Sequence, residues 1–282
     1  MSKVTIGCDP ELFAYDQNGN PVSVHNILLG NKKYPAKVPH GAVQVDGTSA
    51  EFNIDPVETV EDFIHHVRSV SSFMEMIIKQ SNPMLSLRAT PVAHFDKMYF
   101  ASLPKEATML GCDPDYNAWT FEANPKPKED VTFRTGSGHI HIGNMNPRAD
   151  GSKETVVRLL DTTVGFAQSI WDKDTTRQEL YGKPGAYRVK RYGVEWRSLS
   201  NAWMNSEAAM RFIFANAKAI GSDTNECTRS SNWKDVTDEY RCNLYKRYFY
   251  QYCLSISKLG LATPYDFFTK GEIKSAFPDA EI

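Results

Sequence analysis

Cysteine is scarce in this sequence, and long apolar runs are missing. The five cysteines are an odd number, lie far apart and form no C-x-x-C pair, so neither a disulfide framework nor a zinc knuckle is indicated. No window approaches the ~20 apolar residues that a membrane span needs. Charge and proline follow the first methionine too soon for a secretory signal. We therefore expect a soluble cytoplasmic protein with reduced thiols.

An excess of charge of either sign is missing as well. The 32 basic residues nearly balance the 34 acidic ones, and the formal charge of -2 gives no field that would draw the whole surface onto nucleic acid. There is no Walker A sequence and no Gly-x-Gly-x-x-Gly motif after a strand, so the common phosphate-loop folds are not indicated. No linker interrupts the 282 residues, and one core is sustained up to ~250–300 residues. We expect a single catalytic domain over residues 1–282.

Apolar periodicity predicts a mixed architecture. Spacing by three and four residues predicts helices over residues 57–79, 153–171, 206–220 and 236–258. Alternation predicts strands over residues 3–15, 42–46, 50–54, 85–95, 139–142 and 194–199. The first strand is expected to enter a sharp turn at Asp9-Pro10, and residues 133–143 to form a glycine hairpin that feeds a strand. The fold class that follows is α+β with a largely antiparallel sheet.

Polar side chains interrupt several of these strands. Isolated carboxylates on a sheet would be costly to bury, so their convergence on a cation is an economical explanation. A solvated strand face explains any one glutamate alone, and two hydrogen-bonded histidines would explain His139-x-His141. Oxygen-rich sets suit Mg²⁺ or Mn²⁺ better than zinc. The candidate metal ligands are Glu11, Glu51, His139, His141 and Glu195.

The segment 177–197 carries six basic side chains against two acidic ones. A solvated basic face is one explanation. The interleaved glycines and tyrosines and one proline favour a shaped loop, which beside a metal would hold a transferring phosphoryl group. The basic residues taken as phosphate contacts are Arg177, Arg188, Lys190, Arg191 and Arg197.

Taken in order, these motifs resemble a known family. A glutamate on the first strand is followed by DGTSAEFN at residues 46–53, GSGHIHIG at 136–143 and GVEWR at 193–197. This order resembles the carboxylate-amine ligases of the glutamine synthetase and glutamate-cysteine ligase superfamily, and within it the phage-type amidoligase branch. If a phage encodes the chain, its location would be the host cytoplasm.

The resemblance implies a glutamine synthetase-like antiparallel funnel flanked by helices, with ATP at one end, Mg²⁺ (or Mn²⁺) at the waist and a carboxylate substrate at the other end. Glu11, Glu51, Glu195 and one of the two histidines would hold the metal, and Arg197 would contact the γ-phosphate or acyl phosphate. Glutamine synthetase has Glu-x-Glu where this chain has Glu11 and Phe13. The number of ions therefore stays open, with Asp9 or Asp46 as additional ligands.

The implied reaction activates a small-molecule or peptide carboxylate as its acyl phosphate, which an amine then attacks. Arg197 and Arg188 are the expected catalytic residues. Asp46, Asp113 and Asp115 are candidates for the general base. Backbone N–H groups at residues 136–138 are candidates for an oxyanion contact. A phosphotransferase, a zinc hydrolase that uses the histidines, and a non-catalytic binding protein are the alternatives. A homo-oligomer is possible, and the acid and the amine are not identified.

Overall fold

The structure, a computed structural model, describes residues 3–109, 115–125, 132–145, 153–222 and 249–280. Its strands are β1 Thr5–Tyr15, β2 Pro21–Val22, β3 Ala36–Val38, β4 Gly41–Asp46, β5 Ser49–Ile54, β6 Ser86–Arg88, β7 Val92–His94, β8 Tyr116–Asn117, β9 Phe133–Thr135, β10 Gly138–Gly143, β11 Ala186–Lys190 and β12 Gly193–Trp196. Its α-helices are α1 Val60–Ser81, α2 Lys97–Ser102, α3 Lys105–Thr108, α4 Lys153–Leu160, α5 Thr176–Leu180, α6 Glu207–Ser222, α7 Phe249–Ser257 and α8 Lys270–Ala276. No helix among the described residues has the length and apolar character needed to cross a bilayer.

Ten strands form one sheet whose main path runs β3-β4-β5-β1-β10-β12-β11-β8, with β2 and β6 also paired to β1. These pairings are antiparallel. Strands β7 and β9 form a second, two-stranded sheet. The α+β class with a largely antiparallel sheet is therefore confirmed.

The two faces of the sheet differ in chemistry because side chains alternate along each strand. On one face Ile140 and Ile142 are fully buried in the hydrophobic core, together with Val194 and Trp196. Helices α1, α4 and α6 contribute buried side chains to that core. The opposite face presents the charged residues of the same strands, among them His139 and His141.

The longest strand, β1, corrects one prediction. It runs straight through Asp9-Pro10 instead of turning there. Up to Pro10 it pairs with β10, and from Glu11 it pairs with β5. Proline lacks an N–H, and the next N–H, that of Glu11, is donated to the carbonyl oxygen of Ser137 at 2.9 Å. The strand therefore changes partners at Pro10 and joins the two halves of the sheet.

Three other predictions need correction. The expected strand 85–95 is split into β6 and β7. Residues 133–143 do not form a hairpin, because β9 pairs with β7 whereas β10 pairs with β1 and β12. A side chain at Gly138 would lie 2.3 Å from the carbonyl oxygen of Ser200, so glycine permits the close approach of these two backbone segments at the start of β10. Part of the expected basic loop is strand β11.

The helix predictions hold within the described residues, with one irregularity. Helix α4 continues into a π-helical turn, Asp161–Gly165, and a 3-10 turn, Gln168–Ile170. The helix expected over 236–258 is described only from Phe249, and residues 236–248 lie outside the described part. Buried groups of this last segment pack in the core, where Tyr252 donates to the carbonyl oxygen of Thr163 at 2.6 Å.

Candidate active site

The polar face of the sheet lines a cavity of about 720 Å³. Antiparallel register sets its charged residues side by side across five strands: Glu51 lies opposite Glu11, Asp9 opposite His139, and Glu195 opposite both His141 and Arg188. The cavity lining includes most of the residues expected from the sequence: Glu11, Asp46, Glu51, His139, His141, Arg188, Lys190, Glu195 and Arg197.

The first ligand group, which we name the histidine cluster, consists of Asp9, His141 and Glu195. Each offers one ligand atom, and these atoms lie within 4.8 Å of one another. His141 Nε2 is 3.0 Å from Asp9 Oδ1. One imidazole nitrogen and two carboxylates form a donor set suited to a divalent cation such as Mn²⁺.

The second group, the carboxylate cluster, consists of Glu11, Asp46 and Glu51, whose ligand atoms also lie within 4.8 Å of one another. Ser137 donates its backbone N–H to Glu11 Oε2 at 2.9 Å, and Gln44 Nε2 donates to Glu51 Oε2 at 2.7 Å. These bonds hold two of the three carboxylates in place. Three carboxylate oxygens are the hard ligands that Mg²⁺ prefers.

Burial and crowding disfavour charge in the carboxylate cluster. Burial raises the pKa of Glu11 to about 7, and repulsion from Asp46 adds to the effect. Burial also raises the pKa of Glu51 well above its usual range, helped by the nearby carboxylates. The pKa of Asp46 is raised by burial in spite of Lys32, a further basic residue of the cavity. The three carboxylates lack enough positive charge around them to ionise easily, which a bound cation would supply.

In the histidine cluster, attraction between opposite charges offsets the cost of burying them. Burial opposes ionisation of Asp9, but the charge of His141 and a hydrogen bond with His139 hold its pKa well below the usual range. Burial likewise opposes a charge on His141, and Asp9 raises the pKa of that imidazole above its usual value. Burial raises the pKa of Glu195, and Asp9 adds to the effect.

The structure separates the roles of the two histidines, which the sequence pattern left equivalent. His139 lies outside both clusters. Its Nδ1 is 3.1 Å from Asp9 Oδ1, and its buried Nε2 has no hydrogen-bond partner among the described residues. Burial and the neighbouring Arg197 lower the pKa of His139 to about 3. The low pKa makes His139 a neutral imidazole beside Asp9, while His141 is the histidine of the cluster that could hold a metal ion.

Three basic side chains surround Glu195, which is 1% exposed. Arg197 Nη1 donates to Glu195 Oε1, Arg188 Nη1 is 3.7 Å from the same oxygen, and Lys190 Nζ is 2.6 Å from Oε2. Arg197 is also fixed by Asp115, whose Oδ2 is 3.3 Å from Arg197 Nε. These three basic side chains therefore line the cavity directly beside the histidine cluster.

Two predicted phosphate contacts lie elsewhere. Arg177 is buried beside the cavity without lining it, and its Nη1 donates to the carbonyl oxygen of Ser198 at 2.8 Å. Arg191 is exposed in the turn between β11 and β12, outside the cavity lining. Arg177 thus supports the backbone directly after Arg197. Arg191 is a solvent-exposed surface residue.

The candidate bases and the proposed oxyanion contact have other partners. Asp46 belongs to the carboxylate cluster, and Asp115 accepts from Asn124 Nδ2 at 3.0 Å besides pairing with Arg197. Asp113 lies outside the described residues. The N–H groups of residues 136, 137 and 138 donate to Pro91 O, Glu11 Oε2 and Leu199 O respectively. This turn therefore has no N–H group left for an oxyanion, and that prediction is wrong.

A buried carboxylate that sequence reasoning missed organises the neighbouring strands. Asp161, the first residue of the π-helical turn, accepts four hydrogen bonds at 2.6–3.0 Å, from Trp119 Nε1, Gly185 N, Trp196 Nε1 and Ser198 Oγ. Trp196 and Ser198 flank Arg197 in the sequence. The one sequence signal was an acidic residue directly after the buried Leu159-Leu160 stripe of a predicted helix.

Comparison with known proteins adds a family. Residues 119–257 match the model of the family described as phage phiEco32-like COOH.NH2 ligase-type 2. This segment is therefore similar to a family of carboxylate-amine ligases. The matched segment contains the two histidines, Glu195 and Arg197, whereas Glu11 and Glu51 precede it. No match was found among curated proteins.

One solved structure is similar to this chain in fold. It is a bifunctional glutathione synthetase from Pasteurella multocida, with a TM-score of 0.50 and 10% identity, over 98% of this chain and 46% of that one. The chain thus spans about half the length of that protein. At this identity the likeness concerns the fold alone, and the specific funnel of glutamine synthetase stays a prediction.

Proposed function

We propose that the chain is an ATP- and Mg²⁺-dependent ligase that joins a carboxylate to an amine through an acyl phosphate. One observation carries the proposal: two ligand clusters face a single cavity from adjacent strands, with Arg188, Lys190 and Arg197 beside them. Enzymes that transfer a phosphoryl group from a nucleoside triphosphate use divalent cations and fixed arginine or lysine side chains of this kind. The match of residues 119–257 to a carboxylate-amine ligase family supports the same reaction class.

The donor chemistry fits the metal. The carboxylate cluster offers oxygen ligands alone, and the histidine cluster adds one nitrogen, so Mg²⁺ suits the first and Mn²⁺ the second at least as well. When bound, such ions neutralise charge on the phosphate oxygens during transfer. We propose two ions, one for each cluster. Asp9 and Asp46 would supply the ligands that are missing because the first strand has Glu11 alone in place of a Glu-x-Glu pair.

The basic residues have separate tasks in this proposal. Arg197 is 5% exposed and its guanidinium carbon lies 5.2 Å from the centre of the Tyr181 ring, so its fork of N–H groups is held rigidly for a transferring phosphoryl group. The Lys190 side chain is 34% exposed, so it can leave Glu195 for a phosphate oxygen when a metal takes its place. Arg188 supplies a further phosphate contact.

We assign Asp46 to metal binding and not to the general base, because its ligand oxygen lies within 4.8 Å of those of Glu11 and Glu51. We also propose one catalytic domain over residues 1–282 with the funnel geometry of the superfamily. Two contacts support it: β1 pairs with β10, and side chains from α7 and α8 pack in the same core as β1.

Product analysis tests the proposal. The purified chain is incubated with ATP, Mg²⁺ and panels of carboxylic acids and amines, and ADP, phosphate and amide are measured. Equal amounts of the three support ligation. A stable phosphorylated product would indicate a phosphotransferase instead, and turnover without ATP but with zinc would indicate a hydrolase. A chain that shows no thermal shift with Mg²⁺ and an ATP analogue would be a binding protein of another kind.

Arg197→Ala tests the site within that assay. Loss of a charge-stabilising arginine lowers kcat by roughly 10³-fold or more, and Arg197→Lys should recover part of this loss. Arg211→Ala is the matched control, because Arg211 lies on α6 in surface ion pairs with Glu61 and Glu207. Full turnover by Arg197→Ala would remove Arg197 from the mechanism.

A further inference from the structure

Tyr192 connects the mouth of the cavity to the histidine cluster. It lies in the two-residue turn between β11 and β12, lines the cavity and is 47% exposed. Its phenol oxygen forms a hydrogen bond with Nδ1 of His141. On the other side of the imidazole, Nε2 lies 3.0 Å from Asp9 Oδ1. The two nitrogens of His141 therefore face different partners, one inside the cluster and one outside it.

The backbone around Tyr192 holds the phenol in this place. The N–H of Asn144 donates to the carbonyl oxygen of Tyr192 at 3.0 Å, which ties the turn to the end of β10. A side chain at Gly143 would begin 3.8 Å from Cδ2 of the tyrosine ring and 2.6 Å from Thr5 Oγ1. The close approach to Thr5 therefore favours glycine at 143, and the tyrosine ring lies at ordinary van der Waals distance from this position. The rings of Tyr192 and His141 are 5.9 Å apart between centres.

The chemistry of imidazole gives this contact a consequence. An imidazole that binds a cation through Nε2 is neutral and carries its proton on Nδ1. That N–H needs an acceptor, and metal-binding histidines in proteins commonly donate it to an oxygen that fixes the tautomer and the orientation of the ring. The phenol oxygen of Tyr192 is in the position to accept it.

We propose that Tyr192 is a positioning residue that fixes His141 as a cation ligand of the histidine cluster. The inference rests on the proposed function, since it assumes that this cluster binds a divalent ion. The carboxylate cluster has its own supports, Ser137 N–H on Glu11 and Gln44 on Glu51. Loss of the phenol oxygen should therefore weaken one metal site and leave the other unchanged.

Binding of Mn²⁺ to the purified chain, followed by electron paramagnetic resonance, tests the inference without any turnover. The wild-type chain should bind two ions, one of which shows coupling to a histidine nitrogen. In Tyr192→Phe, one site should weaken by about 10–100-fold, with reduced nitrogen coupling, an unchanged second site and an unchanged melting temperature. Tyr250→Phe, which removes the phenol of another exposed tyrosine on α7, should bind as the wild type does.

His141→Gln separates positioning from a general loss of structure. This variant should lose the nitrogen coupling and the same site, and adding Tyr192→Phe to it should cause no further loss. Equal binding by Tyr192→Phe and the wild type, or equal weakening of both sites, would overturn the inference while leaving the proposed function intact. A wild-type chain that binds no Mn²⁺ would overturn the inference and the metal sites of the proposed function together.

Discussion

At the scale of single residues, the carboxylate cluster of Glu11, Asp46 and Glu51 lowers the stability of the metal-free fold at neutral pH. Their oxygens crowd together in a half-buried position, and burial with mutual repulsion raises all three pKa values. A carboxyl group whose pKa is raised by folding stabilises the fold fully below its unfolded pKa, about 4.3 for glutamate. That stability is lost as the pH rises through the folded value, about 7 for Glu11.

Glu51→Gln should therefore stabilise the metal-free chain at pH 8. At pH 8 the unfolded chain carries an ionised Glu51, and folding must bury this charge or take up a proton. An amide beside Gln44 avoids that cost, so the melting temperature should rise by about 2–4 °C for ~1 kcal/mol, and the gain should disappear at about pH 4. The same variant should lose most of the thermal shift that Mg²⁺ causes in the wild type. Differential scanning calorimetry at both pH values measures these effects.

The control for this substitution is Glu75→Gln, which removes a surface glutamate paired with Lys79 on α1. It should change the melting temperature little at either pH, since exposed helix pairs contribute ~0.5 kcal/mol or less. A Glu51→Gln chain less stable than the wild type at pH 8, with an unchanged Mg²⁺ shift, would argue against the carboxylate cluster.

Single residues were predictable where one polar side chain stands in an apolar strand. Glu11, Glu51 and Glu195 met that condition, and the structure brings all three to the cavity. Asp9 and Asp46 stayed open, because an aspartate beside Pro10 or Gly47 also fits a turn. The choice between His139 and His141 depends on the Tyr192 contact and on the strand register, which local sequence does not reveal.

At the scale of elements, the π-helical turn fixes the strand that carries the site. Asp161 holds the end of β12 through Trp196 and Ser198, and the preceding loop through Gly185. Insertions of this kind in helices often occur at functional sites. Burial raises the pKa of Asp161 to about 6, although four donors favour its charged form.

Asp161→Asn should destabilise the chain by about 1–3 kcal/mol. An amide in place of the carboxylate turns a donor toward N–H groups of Trp119, Trp196 or Gly185, which can only donate. Urea unfolding measures the loss, and kcat should fall with it because Arg197 lies between two of the residues that Asp161 holds.

Asp279→Asn serves as the comparison, because Asp279 is exposed near the end of the described chain. It should unfold at the same urea concentration as the wild type. If Asp161→Asn matched this control, the hydrogen-bond network around Asp161 would not support β12 in solution.

Helices and strands were predictable where apolar periodicity is uninterrupted, as in α1 and α6. The predictions failed where a segment is highly charged or where strand pairing decides the structure. Strand β11 was missed because Arg188 and Lys190 alternate with Tyr187 and Val189 in a segment so basic that it resembled a loop. The break between β6 and β7 follows from different pairing partners. Those partners lie far apart in sequence, so local pattern could not predict it.

For the whole molecule, the near-neutral net charge conceals two opposed sets of charged residues on one face of the sheet. Asp9, Glu11, Asp46 and Glu51 occupy one half of the cavity lining, on β1, β4 and β5, while Arg188, Lys190 and Arg197 lie at the other half, on β11 and just after β12. Composition alone could not reveal this arrangement. It follows from an antiparallel sheet whose central strands turn their apolar side chains to the core and their charged side chains to the cavity.

The position of metal ions in crystals tests the central claim most directly. Crystals grown with Mn²⁺ and a non-hydrolysable ATP analogue would give anomalous scattering peaks at the bound ions. Two peaks are expected, one between Asp9, His141 and Glu195 and one between Glu11, Asp46 and Glu51, with phosphate oxygens within reach of Arg197 and Lys190. Ordered nucleotide elsewhere, or the absence of manganese from both clusters, would contradict the account.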